Sequence, residues 1–325
     1  MKSDPTDIII IPEEEIISAY KRISPYIRRT PLIQLESNPN IYLKMENLQK
    51  TGSFKFRCAL NAILTAPEEE IRNGVYTSSG GNFGIGLSAA AKLLNISCTV
   101  YVTKACPKAK TDMLEFYGGK VKKVDNDVWF NILQEKTSHL EDDGFFIHPA
   151  SDAFVMAGNA SIGKEVLEDL ENIDHVIIPY GGGGLSSGIA SSFRQKQKDQ
   201  NSRTKVWACE ISTATPLTTS RKLGYPIVRL EEWAPSICDG IGVQGIFPGA
   251  WNISNNVIDD TVIVTVEETR EAMRLIFKET KAIVEASGAT GLAAALKMQL
   301  SGNVVCIVTG RNLKRELVDE LISTS

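Results

Sequence analysis

The sequence predicts an α/β protein of two lobes, each a largely parallel, twisted sheet flanked by helices. Three observations carry this. Strand-like runs alternate with helix-like runs along the chain, the signature of parallel strands joined by crossover helices. Twice, a strand-like run ends in a small-residue turn that opens straight into a helix, at Ser78-Ser79-Gly80-Gly81-Asn82 and at Gly181-Gly182-Gly183-Gly184. The chain has 325 residues, enough for one large α/β domain or two medium ones.

Pro12 followed by Glu13, Glu14 and Glu15 starts a helix, with proline in the first turn and acids at the positive end of the dipole. It runs toward Arg22, and Ser24-Pro25 breaks it. Thr30 to Leu35 and Ile41 to Lys44 read as short strands on either side of Asn38-Pro39-Asn40. Phe56 to Leu64 reads as helix, Gly74 to Thr77 as strand and Phe83 to Leu94 as helix. Strand Cys98 to Val102, helix Lys108 to Tyr117 and strand Lys120 to Val124 follow.

Beyond Gly144 the pattern continues, with strand Phe145 to Ile147, helix Met156 to Leu170, and strand His175 to Pro179 opening onto the four glycines. Helix Leu185 to Lys198, strand Lys205 to Cys209 and helix Thr215 to Lys222 come next. Gly224 to Trp251 reads as a wrapping loop, because Trp233, Ile237, Ile241 and Phe247 give it apolar groups to bury. The chain closes with helices Glu267 to Thr280 and Gly288 to Gln299, strand Val304 to Val308, the turn Thr309-Gly310-Arg311-Asn312 and a last helix. It has no internal repeat and no low-complexity tract.

Charged residues make up 23% of the chain and the net charge is −4, which leaves no electrostatic footprint for nucleic acid. The longest apolar runs, such as Ile8 to Ile11 and Val304 to Val308, are too short to span a bilayer, and the N-terminus lacks the order of a signal peptide. A cytoplasmic protein without membrane partners is expected. The six cysteines (Cys58, Cys98, Cys106, Cys209, Cys238, Cys306) contain no Cys-x-x-Cys pair, so neither a zinc site nor a disulfide framework is suggested. His139, His148 and His175 stand apart in sequence, and no metal site is expected.

Four glycines between a strand and a helix allow backbone N–H groups and the helix dipole to hold a phosphate without a charged side chain. The Gly-Lys-Ser/Thr of a P-loop is missing, as are the spacing and following acid of the dinucleotide fingerprint. Ser78 to Asn82 suits a second anion, a substrate carboxylate being the natural candidate, although Ser and Gly at a helix start also serve as plain caps. Lys55 lies between Phe54 and Phe56. Aromatic flanks desolvate an amine and lower its pKa, which makes it a nucleophile toward an aldehyde. On that segment alone an ordinary surface lysine is the better account, because lysines next to aromatics are common; the two anion-binding turns are what reverse that order.

Taken together, these motifs resemble the fold type II pyridoxal-phosphate enzymes, within them the serine/threonine dehydratase and serine racemase group. The resemblance runs from Thr30-Pro31-Leu32 through Leu43 to Lys55, Ser79-Gly80-Gly81-Asn82 and Gly181 to Leu185 to Glu285-Ala286-Ser287-Gly288-Ala289. It implies the tryptophan synthase beta-like fold, with the cofactor in the cleft between a large lobe of residues 1–46 and 147–325 and a small lobe of residues 47–146. It implies that Lys55 forms the Schiff base with pyridoxal 5'-phosphate and acts as base at Cα. Phe54 would pack beside the ring, Asn82 bond its phenolic oxygen, and Gly181, Gly182, Gly183, Gly184 and Leu185 hold its phosphate. Glu285 belongs to the same cofactor-binding set, and Thr309 would face the pyridine nitrogen. Ser78, Ser79, Gly80, Gly81 and Asn82 would grip the substrate carboxylate, the cofactor phosphate or Ser79 would help the leaving group, and the protein would be a homodimer.

The departures from the family pattern bear on the reaction. Gly80 stands where racemases carry a serine acid/base, so the second proton donor of racemisation is missing. Phe83 replaces a histidine, and Cys58 replaces a glycine of the Lys-x-Arg segment. Arg311 replaces a glycine close to the ring, where it could touch the substrate. Glu210 resembles a carboxylate of the family's divalent-cation site, with Pro216 where its aspartate partner would be. The expected activity is an ammonia-lyase (dehydratase) that eliminates water from serine or threonine to give a 2-oxo acid and ammonia. The alternatives are a β-replacement synthase (cysteine synthase-like), a threonine synthase-like enzyme, an amino acid racemase, and a non-catalytic pyridoxal-phosphate-binding protein.

Overall fold

A computed structural model describes residues 7–137, 140, 144–197 and 204–323. The first part of the chain carries α1 (Glu13–Ile23), β1 (Leu32–Gln34), β2 (Ile41–Met45), a 3-10 turn (Glu46–Leu48), α2 (Lys55–Thr65) and α3 (Glu68–Ile71). Next come β3 (Val75–Ser78), α4 (Asn82–Leu93), β4 (Cys98–Thr103), α5 (Lys108–Phe116), β5 (Lys120–Val124), α6 (Asn126–Glu135), β6 (Phe145–Phe146) and α7 (Ala153–Asp169). The last part holds β7 (Ile173–Pro179), α8 (Gly184–Gln197), β8 (Lys205–Ile211), α9 (Pro216–Leu223), α10 (Pro248–Val257) and β9 (Asp260–Val264). It ends with α11 (Val266–Thr280), α12 (Ala286–Met298), β10 (Asn303–Val308) and α13 (Arg315–Ser323).

Two sheets result. The six-stranded sheet has the order β1-β2-β10-β7-β8-β9, and the four-stranded sheet the order β5-β4-β3-β6. All pairings are parallel except β1 with β2. The larger sheet is apolar on both faces: along β10, Val305 and Ile307 join one buried cluster, while Val304, Cys306 and Val308 join another. Side chains alternate across a strand, so burial on both faces requires an unbroken apolar run. A third cluster packs Leu60, Phe83 and Leu87 against Val75 and Val100 of the smaller sheet. The exposed edge strand β5 carries Lys120, Lys122 and Lys123, and lysines on an edge discourage pairing with another chain.

The α/β architecture of two largely parallel sheets agrees with the sequence reading, and several elements differ from it. Helix α10 and strand β9 lie in and just after the stretch read as a wrapping loop. Proline is in the first turn of α10, whereas its Gly, Ser and Asn residues are weak helix formers. Helix α6 was not anticipated. Trp233, expected to be buried, is 38% exposed, with its indole N–H on the Gly242 carbonyl. Lys198, the expected end of a helix, and His139 lie outside the described residues. Among the described residues no helix is long and apolar enough to cross a membrane.

Candidate active site

Lys55 is the first residue of α2, and the segment leading to it is sewn to the turn after β10. Gly52 accepts from the Arg311 N–H at 2.8 Å, Ser53 bridges Gly310, and the Phe54 N–H donates to the Thr309 carbonyl at 3.1 Å. Lys55 Nζ donates to the Pro149 carbonyl at 3.1 Å. It lies 4.9 Å from the centre of the Phe54 ring and 5.4 Å from that of Phe83. Phe56, expected as the second flank, faces the core instead, and Phe83 takes its place. Burial drives the Lys55 pKa below the ordinary lysine value, against the attraction of Cys58 and Glu285.

Two residues on, Arg57 anchors the helix. Its fully buried guanidinium donates to Glu46 through Nε and Nη2, both at 2.8 Å. It also reaches Glu165 on α7 at 2.7 and 2.8 Å. Lys44 Nζ closes the cluster on Glu165 at 2.8 Å. Such a group holds only while all its partners are present.

The tetraglycine turn joins β7 to α8. Among the described residues, the N–H groups of Gly182, Gly183 and Gly184 donate to no protein acceptor, leaving open donors at the positive end of a helix. Side chains are excluded there. A Cβ on Gly182 would lie 2.8 Å from Ala150 Cβ, and one on Gly184 would lie 2.7 Å from the Ala150 carbonyl oxygen. Gly183 has φ +87°. Behind the turn, Tyr180 Oη donates to Ser254 Oγ at 3.2 Å, Ser254 and Ser187 hydroxyls are 2.9 Å apart, and Asn159 Nδ2 donates to the Gly184 carbonyl at 3.1 Å.

The other small-residue turn joins β3 to α4. Ser78, expected among the carboxylate ligands, is buried and spends its hydroxyl on the Trp129 carbonyl at 2.9 Å. Its side chain is therefore turned away from the turn. Ser79 donates its N–H to the Tyr101 carbonyl at 3.1 Å and keeps a half-buried side chain. A Cβ on Gly80 would lie 3.1 Å from Cys106 Sγ, while Gly81 faces open space. Asn82 Nδ2 donates to both Glu285 oxygens at 2.9 and 3.1 Å, and its Oδ1 accepts from Asn312 Nδ2 at 2.7 Å. The Asn312 N–H also donates to Glu285 at 3.1 Å. Burial pushes the Glu285 carboxyl up to about 7 despite these donors. Thr309 is buried, and a Cβ on Gly310 would strike the Glu285 carboxylate at 2.6 Å. Arg311 is exposed and lies across Gly52.

The family model described as "Pyridoxal-phosphate dependent enzyme" matches residues 23–310. The chain belongs to this pyridoxal-phosphate-dependent enzyme family. Within the family it falls in the fold type II threonine dehydratase and serine racemase group. It is 33% identical over 322 residues to an L-threonine ammonia-lyase of Thermotoga maritima, covering 95% of this chain and 78% of the relative. The serine racemase structure from Dictyostelium discoideum is 34% identical with a TM-score of 0.82, covering 93% of this chain and 98% of that one. The processed form of threonine deaminase isoform 2 from Solanum lycopersicum is 26% identical with a TM-score of 0.84, covering 100% and 96%.

Pyridoxal phosphate is thus the cofactor, and the residues present fit it. A buried amine of lowered pKa suits an aldehyde, and a side-chain-free cup of open N–H groups suits a phosphate. Glu210 behaves differently from a free ligand group: its carboxylate accepts from the N–H groups of Leu217 at 2.6 Å and Thr218 at 2.9 Å, capping α9, and from the Thr218 hydroxyl at 2.5 Å. Among the described residues no group of three or more His, Cys, Asp or Glu could hold a metal ion. Asn312, Arg57 and the His148-Pro149 pair are site residues that sequence reasoning did not single out. Only Asn312 carried a signal, by standing in the turn after the last apolar strand.

Proposed function

We propose that the protein is an ammonia-lyase that eliminates water from a β-hydroxy amino acid such as threonine or serine, giving a 2-oxo acid and ammonia. The observation that carries the reading is the Lys55 amine, buried between the Phe54 and Phe83 rings at 3.1 Å from a single carbonyl. Burial favours the neutral form of such an amine, the form able to accept the Cα proton of a bound amino acid. Bound pyridoxal phosphate supplies an electron-withdrawing ring that takes up the electron pair left at Cα.

In this reading Lys55 holds the cofactor, Gly181 to Leu185 receive its phosphate, Phe54 packs beside it, and Asn82, Glu285 and Thr309 line its ring. The Ser79 hydroxyl and the N–H groups up to Asn82 orient the substrate carboxylate, and the departing hydroxyl is assisted by Ser79 or the cofactor phosphate. Residues 1–46 and 147–325 form the cofactor lobe and residues 47–146 the carboxylate lobe, in a homodimer whose mass size-exclusion chromatography with light scattering would report. Gly80 carries no side-chain acid to return a proton to Cα, which favours elimination.

The test is incubation of the pure, cofactor-loaded protein with L-threonine, L-serine and 3-hydroxyaspartate, followed by 2-oxo acid detection. Absence of product from all three overturns the proposal. The 34% identity to a serine racemase supports a second reading as a racemase; chiral chromatography of the same mixtures separates the two.

A further inference from the structure

The turn from His148 to Ser151 joins β6 to α7 and touches both halves of the cofactor site. Its Pro149 carbonyl is the acceptor for Lys55 Nζ at 3.1 Å. Its Ala150 backs the tetraglycine cup closely enough to forbid a Cβ at Gly182 or Gly184. One imidazole ties this turn together: His148 Nδ1 accepts from the N–H of Ala150 at 3.0 Å and from that of Ser151 at 2.7 Å.

With Nδ1 accepting twice, the proton of the neutral ring sits on Nε2. That atom is buried and has no protein partner among the described residues. The ring is held edge-on by Phe247, with centroids 4.5 Å apart at 81°, and by Phe146, at 6.1 Å and 87°. Burial, with lesser contributions from Lys136 and Lys55, pushes His148 down to about 3. The ring therefore stays a neutral acceptor through the neutral pH range.

We propose that His148 is a positioning residue. Its Nδ1 folds the 148–151 turn, and the turn sets both the place of the Pro149 carbonyl beside Lys55 and the floor of the phosphate cup. The inference rests on the reading of Lys55 and Gly181 to Leu185 as the groups that hold the cofactor. Pro149 is the polar contact made by an amine otherwise walled by Phe54 and Phe83, so a slackened turn leaves that amine poorly satisfied and shifts its titration.

Two variants of the holoenzyme separate an acceptor role from a donor role. His148→Asn places an amide oxygen near the position of Nδ1 and removes the Nε2–H, whereas His148→Gln places its amide near the position of Nε2 and empties that of Nδ1. Cofactor release on dilution, followed by its visible absorbance, should stay within about threefold of wild type for His148→Asn and rise about tenfold for His148→Gln. The pH at which that absorbance titrates should move in His148→Gln alone. Equal behaviour of the two variants, or the reverse order, overturns the proposal. If neither variant folds, nitrogen-15 spectra of histidine-labelled wild type decide: a pyridine-type Nδ1 across about pH 6 to 9 supports it, and a protonated Nδ1 overturns it. Lys55→Ala is the control for the underlying reading, since survival of the covalent absorbance band in that variant refutes the role of Lys55 and leaves the histidine tautomer result standing.

Discussion

Asn312 Nδ2 donates to Asn82 Oδ1 at 2.7 Å, a side-chain bond from the turn after β10 of one sheet to the head of the helix that follows β3 of the other. Because Asn82 Nδ2 is committed to Glu285, the two bonds together fix which way the Asn82 amide faces. Asn312→Ala leaves that amide free to turn. The expected result is a fall in kcat of about tenfold, the worth of one well-made hydrogen bond, with a small change in thermal stability. Steady-state kinetics with threonine and a melting curve check it.

The glycine cup makes a steric prediction. Gly184→Ala drives a methyl to 2.7 Å from the Ala150 carbonyl oxygen, and overpacking of this kind costs about 1 to 3 kcal/mol. Cofactor affinity should fall at least as far as stability, since the displaced backbone is the surface proposed to receive the phosphate. Equilibrium dialysis of the cofactor and urea unfolding measure the two effects separately.

The Arg57 cluster predicts a stability loss remote from any substrate. In Arg57→Ala, Glu46 loses its guanidinium partner and Glu165 keeps only Lys44. Removing one partner of a buried ion pair costs about 3 to 5 kcal/mol. Urea unfolding should show a loss of unfolding free energy of that size, taken from the midpoint and slope together, and Arg57→Lys should recover only part of it because ammonium lacks the planar fork.

Glu285 predicts a pH dependence of stability. Its folded value is raised from 4.5 to about 7, so between those values the folded chain holds a proton that the unfolded chain has released. Stability is therefore greater below this window and declines as pH rises through it, by at most about 1.4 kcal/mol per pH unit for this one group. Glu285→Gln should flatten that decline, in unfolding curves taken from about pH 5 to pH 7.5. Glu210 is raised to about 7 by burial as well, so some slope remains in the variant.

The alternating strands, the glycine cup and Lys55 were legible because each is written as a local pattern: an apolar run, a glycine row, a cation among aromatics. What was not legible depends on contacts far apart in sequence. Ser78 and Ser79 look equivalent in the chain. Ser78 ends a strand whose residues alternate between faces, and its hydroxyl is taken by Trp129 of α6, a helix unseen in the sequence. Phe83 displaces Phe56 as the second wall around Lys55 because successive residues of α2 point to different sides of the helix. Helix α10 has weak intrinsic propensity and is formed against α8 through Ala250, Ile253 and Val257 in the shared core.

The backbone bonds of residues 52–54 to 309–311 also show how the Lys55 amine is mounted. In chain order Lys55 comes just before the small sheet. Mechanically it is fastened to β10, and through Arg57 to α7. On its other side α2 shares the small sheet's apolar cluster through Phe56, Ala59 and Leu60, and a Cβ on Gly86 of α4 would lie 2.8 Å from the Lys55 carbonyl carbon, so Lys55 stands where the two sheets are joined. A displacement of one sheet against the other is therefore felt at the Lys55 amine itself, through its tether to β10 or its packing on α4.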